Sequence, residues 1–432
     1  MTAEDRCGGY TPGRATRFYV PLLLQAVSQS LTYPLVGAIA SRGTFGVDEL
    51  TAFTQGQIAM FFIGAVGGGL ITTGMVFARS QDGYSAFKKL NAWMMLALVG
   101  IQILCALDPI GTWIFGTLFK LPAHLAKIAQ RTMLLGAVMQ SAFFLRNVPL
   151  VVLFNARASA EANWATVARI GLTFACSLVF PHIKLAGADW ALAALTAGVM
   201  LELMLTWIFA RPYARDIPLG TGDIAYTQFK FTLPLSFGSA LLAFSPVVIA
   251  VFVGRSENAT DMLALHYVTL GIANPVSFAA LRMQTVAIQF PPEYPGDRRT
   301  LVFAIVAGLL LGLLPLALAF PGLGSWYYGI CQNIPPHILG TALLMSGLYS
   351  FIEVIHAVRG RVEGLAALHK KPEAVMAGQI AYFAMLTIAA AMLLAVGAPG
   401  WVIAIGATYA APIATVATIY MAIRINGRDS RI

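Results

Sequence analysis

Charge is what this sequence has least of: 11% of its 432 residues are Asp, Glu, Lys or Arg, against 58% apolar or aromatic. Soluble domains run nearer a quarter charged, and no soluble fold covers so much apolar surface with so few charges. With a mean hydropathy of +0.75, the chain needs the bilayer as part of its solvent. Cysteine is scarce too. Cys7, Cys105, Cys176 and Cys331 lie far apart with no metal-ligand or redox spacing, which excludes a disulfide framework and a thiolate metal site. No Walker-type Gly-Lys-Ser/Thr follows the glycine-rich stretch Gly64, Gly67, Gly68, Gly69, Gly74, so ATP is not the direct energy source. Neither a cofactor nor a metal is expected. The net charge of +9 comes from residues scattered over short connections, without the basic stripe or aromatic platform that nucleic acid would need.

What is present is a succession of apolar runs of the length that spans a membrane, about 20 residues. Twelve qualify, near 18–41, 53–77, 88–108, 133–154, 164–182, 188–210, 229–253, 262–289, 300–320, 337–357, 372–396 and 399–423. The polar first 17 residues lead into a full-length span, not into the short core of a cleavable signal. With the N-terminus inside, 19 of the 28 Lys and Arg fall on the inner side, six on the outer side and three within spans. Retention of positive charge on the cytoplasmic side then places both termini in the cytoplasm, in the inner (plasma) membrane of the cell. The longest connection, 109–132, has Trp113, Phe115, Leu118 and Phe119 followed by Lys120 and Lys127; it reads as an amphipathic segment along the outer interface.

The chain also contains itself twice. An offset of 213 maps Phe18, Pro21 and Leu22 onto Phe231, Pro234 and Leu235. It maps Arg42, Asp48, Leu50 and Arg146 onto Arg255, Asp261, Leu263 and Arg359. Six helices separate the copies, an even number, so both have one orientation. The expected fold is therefore an all-α polytopic membrane protein of two parallel-repeat lobes, 1–217 and 218–432. Carriers built this way hold substrate near the midplane.

Ionisable groups within spans are costly and mark function by default. Arg146, flanked by Phe143, Phe144, Leu145 and Val148, is either a substrate contact or the partner of Glu202 at comparable depth; Arg169 is placed near a helix end, where it can snorkel. Ser346, Tyr349, Ser350, Glu353 and His356 fall on one helical face. Glu353 and His356 could share a coupling proton, because burial moves both pKa values readily; a polar packing face is the plainer alternative. Gln25, Ser28, Gln29 and Thr32 form a stripe on the first span. His266, Asn274, Arg282 and Gln284 lie on the eighth, where Pro275 is expected to kink the helix. The amides serve equally as interhelix hydrogen bonds, and the glycines of the second span as close-packing or hinge positions. Buried cations (Arg146, Arg282, His266, His356) outnumber buried acids (Glu202, Glu353), which favours an anionic substrate.

Four blocks carry a family resemblance: Arg17-Phe18-Tyr19-Val20-Pro21-Leu22, Gly74-Met75-Val76-Phe77-Ala78-Arg79-Ser80, Gln130-Arg131-Thr132, and Val358-Arg359 with Gly364 and Lys370-Lys371. In order and spacing over nearly the whole chain they resemble the progressive ankylosis protein family of the multidrug/oligosaccharidyl-lipid/polysaccharide (MATE-like) exporter superfamily. Ala78-Arg79-Ser80-Gln81-Asp82-Gly83-Tyr84 does not match the corresponding loop of the major facilitators. The resemblance implies an alternating-access exporter of a small multivalent anion such as citrate, pyrophosphate or a nucleotide. The chain lacks the long charged tail of animal members, and residues 18–41 lack the carboxylate of cation-coupled multidrug members. A flippase for a lipid-linked anion or oligosaccharide and a cation-coupled multidrug exporter are the alternatives. A membrane enzyme would need a cluster of acids, histidines or metal ligands beyond Glu353 and His356. The expected partners are the substrate and membrane lipids, with the chain a monomer.

Overall fold

The computed structural model describes residues 9–119, 121–294, 296–332 and 334–426. Arg6, Cys7, Lys120, Arg428 and Arg431, and the side chains of Ser28, Gln29, Thr260, Cys331 and Arg424, lie outside that description. The described residues are helical, joined by short turns, without strands. Eleven helices are long and apolar enough to cross a membrane. The Pro12–Ala40 helix, 29 residues long, covers the first expected span. The chain is a multi-pass membrane protein.

The repeat is visible in the helix ends. Ala123–Asn155 and Pro336–Leu368 begin and end 213 residues apart, since 336 − 123 and 368 − 155 are both 213. The same holds for Ser159–His182 and Pro372–Ala395. In both copies the second span is broken. Residues 66–69 separate Val47–Ala65 from Leu70–Phe77, and Arg282 separates Ala259–Leu281 from Met283–Gln289; 282 − 213 is 69. At Pro275, where a kink is expected, the helix is not interrupted. Proline costs a helix one hydrogen bond, and the 259–281 helix runs through it.

Two compact units result, residues 28–240 and residues 1–27 with 241–432. This division does not follow the repeat boundary, because two half-helices pack away from their own copies. In the first unit Gly69 lets the 225–243 helix approach: a Cβ there would stand 2.7 Å from Leu235 Cβ. Thr73 and Thr232 share a buried hydrogen bond of 2.8 Å across this contact. In the second unit the Tyr19 hydroxyl donates to the Ala279 carbonyl at 2.9 Å, and its ring meets Phe303 edge-on. Each unit has its own apolar core, one around Phe53, Met60, Met139 and Leu195, the other around Tyr328, Tyr349, Leu386 and Ile403.

The 109–132 connection, expected as an amphipathic segment, is helical over 110–118 and again from Ala123. Two expectations fail on helix length. Arg359 and Arg361 are not in a loop; the Pro336–Leu368 helix continues past them and both are buried. Arg169 does not snorkel. It is 3% exposed, because its helix starts at Ser159 and places it about 15 Å along the axis.

Candidate functional site

The 28–240 unit contains a cavity of about 350 Å³. One wall is the broken second span, with Gly64, Gly67 and Gly68; the others carry Gln140, Phe143, Phe144, Arg146, Asn147, Arg169, Thr32 and Leu195. At Gly64, in the helix just before the break, a Cβ would clash with the end of the Gln140 amide, so Gln140 would have to move.

Behind the wall lies a charge cluster drawn from three helices. Glu202, fully buried on 188–215, accepts from Arg146 Nη1 at 2.5 Å, from Arg169 Nη1 at 3.0 Å and from the Thr166 hydroxyl at 2.6 Å. Arg169 Nη2 reaches Thr32 at 3.5 Å. One carboxylate thus faces two guanidinium groups, and the cluster keeps a net positive charge. Burying an ion pair is tolerable only when hydrogen bonds satisfy the remaining atoms; Thr166 and Thr32 supply two such bonds, while Arg146 Nε stays buried without a partner among the described residues. Arg146 stacks on the Phe143 ring at 4.7 Å. Its Nη2 has no protein acceptor among the described residues, nor has the Gln140 amide a protein partner there, although Gln140 is 4% exposed. The two arginines line the cavity and, among the described residues, no carboxylate does.

Apart from Gln29, whose side chain is not described, the remaining expected residues belong to the other unit. Glu353 is fully buried; its Oε1 accepts from the Ser277 hydroxyl at 2.9 Å and its Oε2 has no partner among the described residues. His356 is buried with Nδ1 unpartnered, so Glu353 and His356 do not hydrogen-bond to each other as a proton-sharing pair would. Both ring nitrogens of His266 are buried without partners, whereas Asn274 is exposed, eight residues further along the 259–281 helix on another face. Arg282 lies at the helix break and Gln25 is buried; neither is brought onto Glu353 by a described hydrogen bond. No group of three or more His, Cys, Asp or Glu among the described residues could hold a metal ion.

Sequence reasoning missed Arg169, Thr166, Gln140 and Asn147. The repeat could have found Gln140: shifted by 213 it is Glu353, as Gly64 becomes Ser277. The second copy also has a counterpart of the arginine cluster. Arg359 Nε donates to Glu363 at 2.8 Å and its Nη2 to Gln379 at 2.9 Å, with Tyr382 stacked at 4.8 Å. Gln379 and Tyr382 are the repeat equivalents of Thr166 and Arg169.

No family model matches the sequence, and no curated protein matches it. Solved structures share the fold over almost the whole chain. A MATE in complex with MaL6 superposes with a TM-score of 0.72 at 14% identity, covering 99% of this chain and 100% of its own. A MOP superfamily transporter from Pyrococcus furiosus, for which a binding pocket of reverse polarity suggests a different function, gives 0.72 at 13%, covering 99% and 98%. The eukaryotic MATE transporter AtDTX14 gives 0.71 at 12%, covering 96% and 95%. The chain therefore has the MATE fold.

Proposed function

We propose that this protein is a secondary transporter that exports a small organic or phosphorylated anion, of the citrate, pyrophosphate or nucleotide class, by alternating access. One observation carries the reading: a cavity lined by Arg146 and Arg169 and by no carboxylate, with Arg146 Nη2 and the Gln140 amide without protein partners. Buried polar groups are normally hydrogen-bonded, and donors left facing a cavity suit an acceptor-rich ligand. The volume of about 350 Å³ is at the small end of ligand pockets, which run from about 300 Å³. The Pyrococcus furiosus transporter, with its reverse-polarity pocket, is a precedent for this fold serving different chemistry. The resemblance of the motif blocks to the progressive ankylosis protein family supports the anion reading. Both termini face the cytoplasm of the inner membrane; removing buried Arg359 and Arg361 from the inner count of 19 leaves 17 against six.

Reconstituted vesicles loaded with labelled citrate, pyrophosphate or nucleotide should show protein-dependent efflux, abolished by Arg146→Gln. Recovery of efflux in the double variant Arg146→Gln, Glu202→Gln would make Arg146 only a partner of Glu202 and overturn the substrate contact. Movement of a short-chain polyprenyl-phosphate reporter with no solute efflux would replace the reading by the flippase. A cation-coupled multidrug exporter is the second reading, favoured by the half-satisfied carboxylate of Glu353. Cationic drug efflux that needs Glu353 but not Arg146 would establish it.

A further inference from the structure

A second and larger cavity lies in the other unit. It is a groove of about 860 Å³ between the start of the 12–40 helix and the 299–319 helix. Val302, Val306 and Leu310, four residues apart and so on one helical stripe, line it and are 58%, 48% and 63% exposed. Val20 and Leu23 form the facing wall. From Arg299 to Leu311 the helix rises about 18 Å, close to the roughly 15 Å of one leaflet of the hydrocarbon core.

One end of the groove is polar and tightly built. The Tyr10 backbone N–H donates to Glu293 Oε1 at 3.0 Å, and its hydroxyl donates to the Arg299 carbonyl at 3.3 Å. The Arg299 guanidinium lies 5.3 Å from the Tyr10 ring and 5.4 Å from the Tyr294 ring. Arg299 Nη2 is held by Asp297 at 2.7 Å and Glu293 at 2.8 Å. These hydrogen bonds from Arg299 hold the Asp297 carboxyl well below the usual carboxylate range, so it stays ionised, and Arg299 is held by two carboxylates. Arg298 is held by none. It is exposed at the same end, with no carboxylate partner among the described residues, and no Asp or Glu lines the groove.

We propose that this groove holds an acyl chain of one anionic phospholipid of the cytoplasmic leaflet, with the lipid phosphate at Arg298. A zwitterionic lipid would bring its own cation beside its phosphate and so answer Arg298 less well, and a soluble anion would leave the apolar slot empty. The inner leaflet is the anionic one, and the orientation proposed above puts Arg298 there. The inference rests on that orientation and not on what the carrier exports.

The test uses the full chain in nanodiscs of phosphatidylcholine with or without phosphatidylglycerol, reading retained lipid by native mass spectrometry. Wild type should retain phosphatidylglycerol over phosphatidylcholine about fivefold, the equivalent of about 1 kcal/mol for one basic residue at an anionic surface. Arg298→Gln should erase that preference, and Val306→Trp, which fills the slot, should reduce retention of both lipids. Arg211→Gln, an exposed cation of the other unit, should retain the wild-type preference. Absence of a preference in wild type, or its survival in Arg298→Gln, would overturn the proposal. So would unchanged retention in Val306→Trp, or glycerol phosphate without acyl chains stabilising the protein as well as the lipid does.

Discussion

Glu202 neutralises one of two guanidinium groups, and this asymmetry separates the effects of removing either sign. Arg146→Gln leaves Glu202 with Arg169 at 3.0 Å and Thr166 at 2.6 Å, so no carboxylate is stranded and thermal stability should change little while transport is lost. Glu202→Gln leaves two buried arginines with no counter-charge and should cost about 3–5 kcal/mol. Thermal unfolding of the two purified variants beside a vesicle assay checks both; equal destabilisation would contradict the cluster. Arg146 and Glu202 were legible in the sequence because both lie well within apolar runs. Arg169 was not, because hydropathy starts its span at 164 while the helix starts at Ser159. Five residues at 1.5 Å each turn an end position into a buried one.

At the scale of the element, the interruption at 66–69 matters most. A glycine run in a span reads equally as close packing or as a hinge, and the sequence does not distinguish them. The structure shows a break at 66–69 with close contacts at and beside it, Gly69 against Leu235 and, in the helix before it, Gly64 against Gln140. Gly69→Ala should therefore destabilise by about 1–3 kcal/mol, the usual cost of overpacking. Gly171→Ala, in a helix where a Cβ meets nothing within 4 Å, should be neutral or stabilise by up to about 1 kcal/mol. Detergent melting curves of the pair give the comparison, and a harmless Gly69→Ala would show that the contact tolerates separation. Pro275 sits inside a helix that stays continuous. Proline is a local signal, but neighbouring helices can satisfy the carbonyl it leaves free.

For the whole molecule, the topology is the part most open to direct test. Single cysteines at Ser256 and Gly322 should react with an impermeant thiol reagent in intact cells, and cysteines at Ser85 and Gly220 only after permeabilisation. Labelling of Ser85 from outside would overturn the orientation. The helical spans and the repeat were legible because they are written in apolar run length and in a constant offset. The division into units was not, since which half-helix packs where depends on contacts such as Thr73 with Thr232 that no periodicity announces.

The two arginine clusters differ in where the acid comes from, and that bears on how the chain is made. Arg359 finds Glu363 one turn away on its own helix, so that segment enters the bilayer with its counter-ion attached. Arg146, Arg169 and Glu202 sit on three successive segments. Each must be threaded into lipid bearing a lone charge, at about 2.5–3.5 kcal/mol near the centre of the membrane. That penalty is relieved only when the three meet. The amino-terminal copy thus has a biogenesis step that its duplicate is spared: its helices cannot rest as independent insertions, and their charges hold them accountable to one another until the bundle closes.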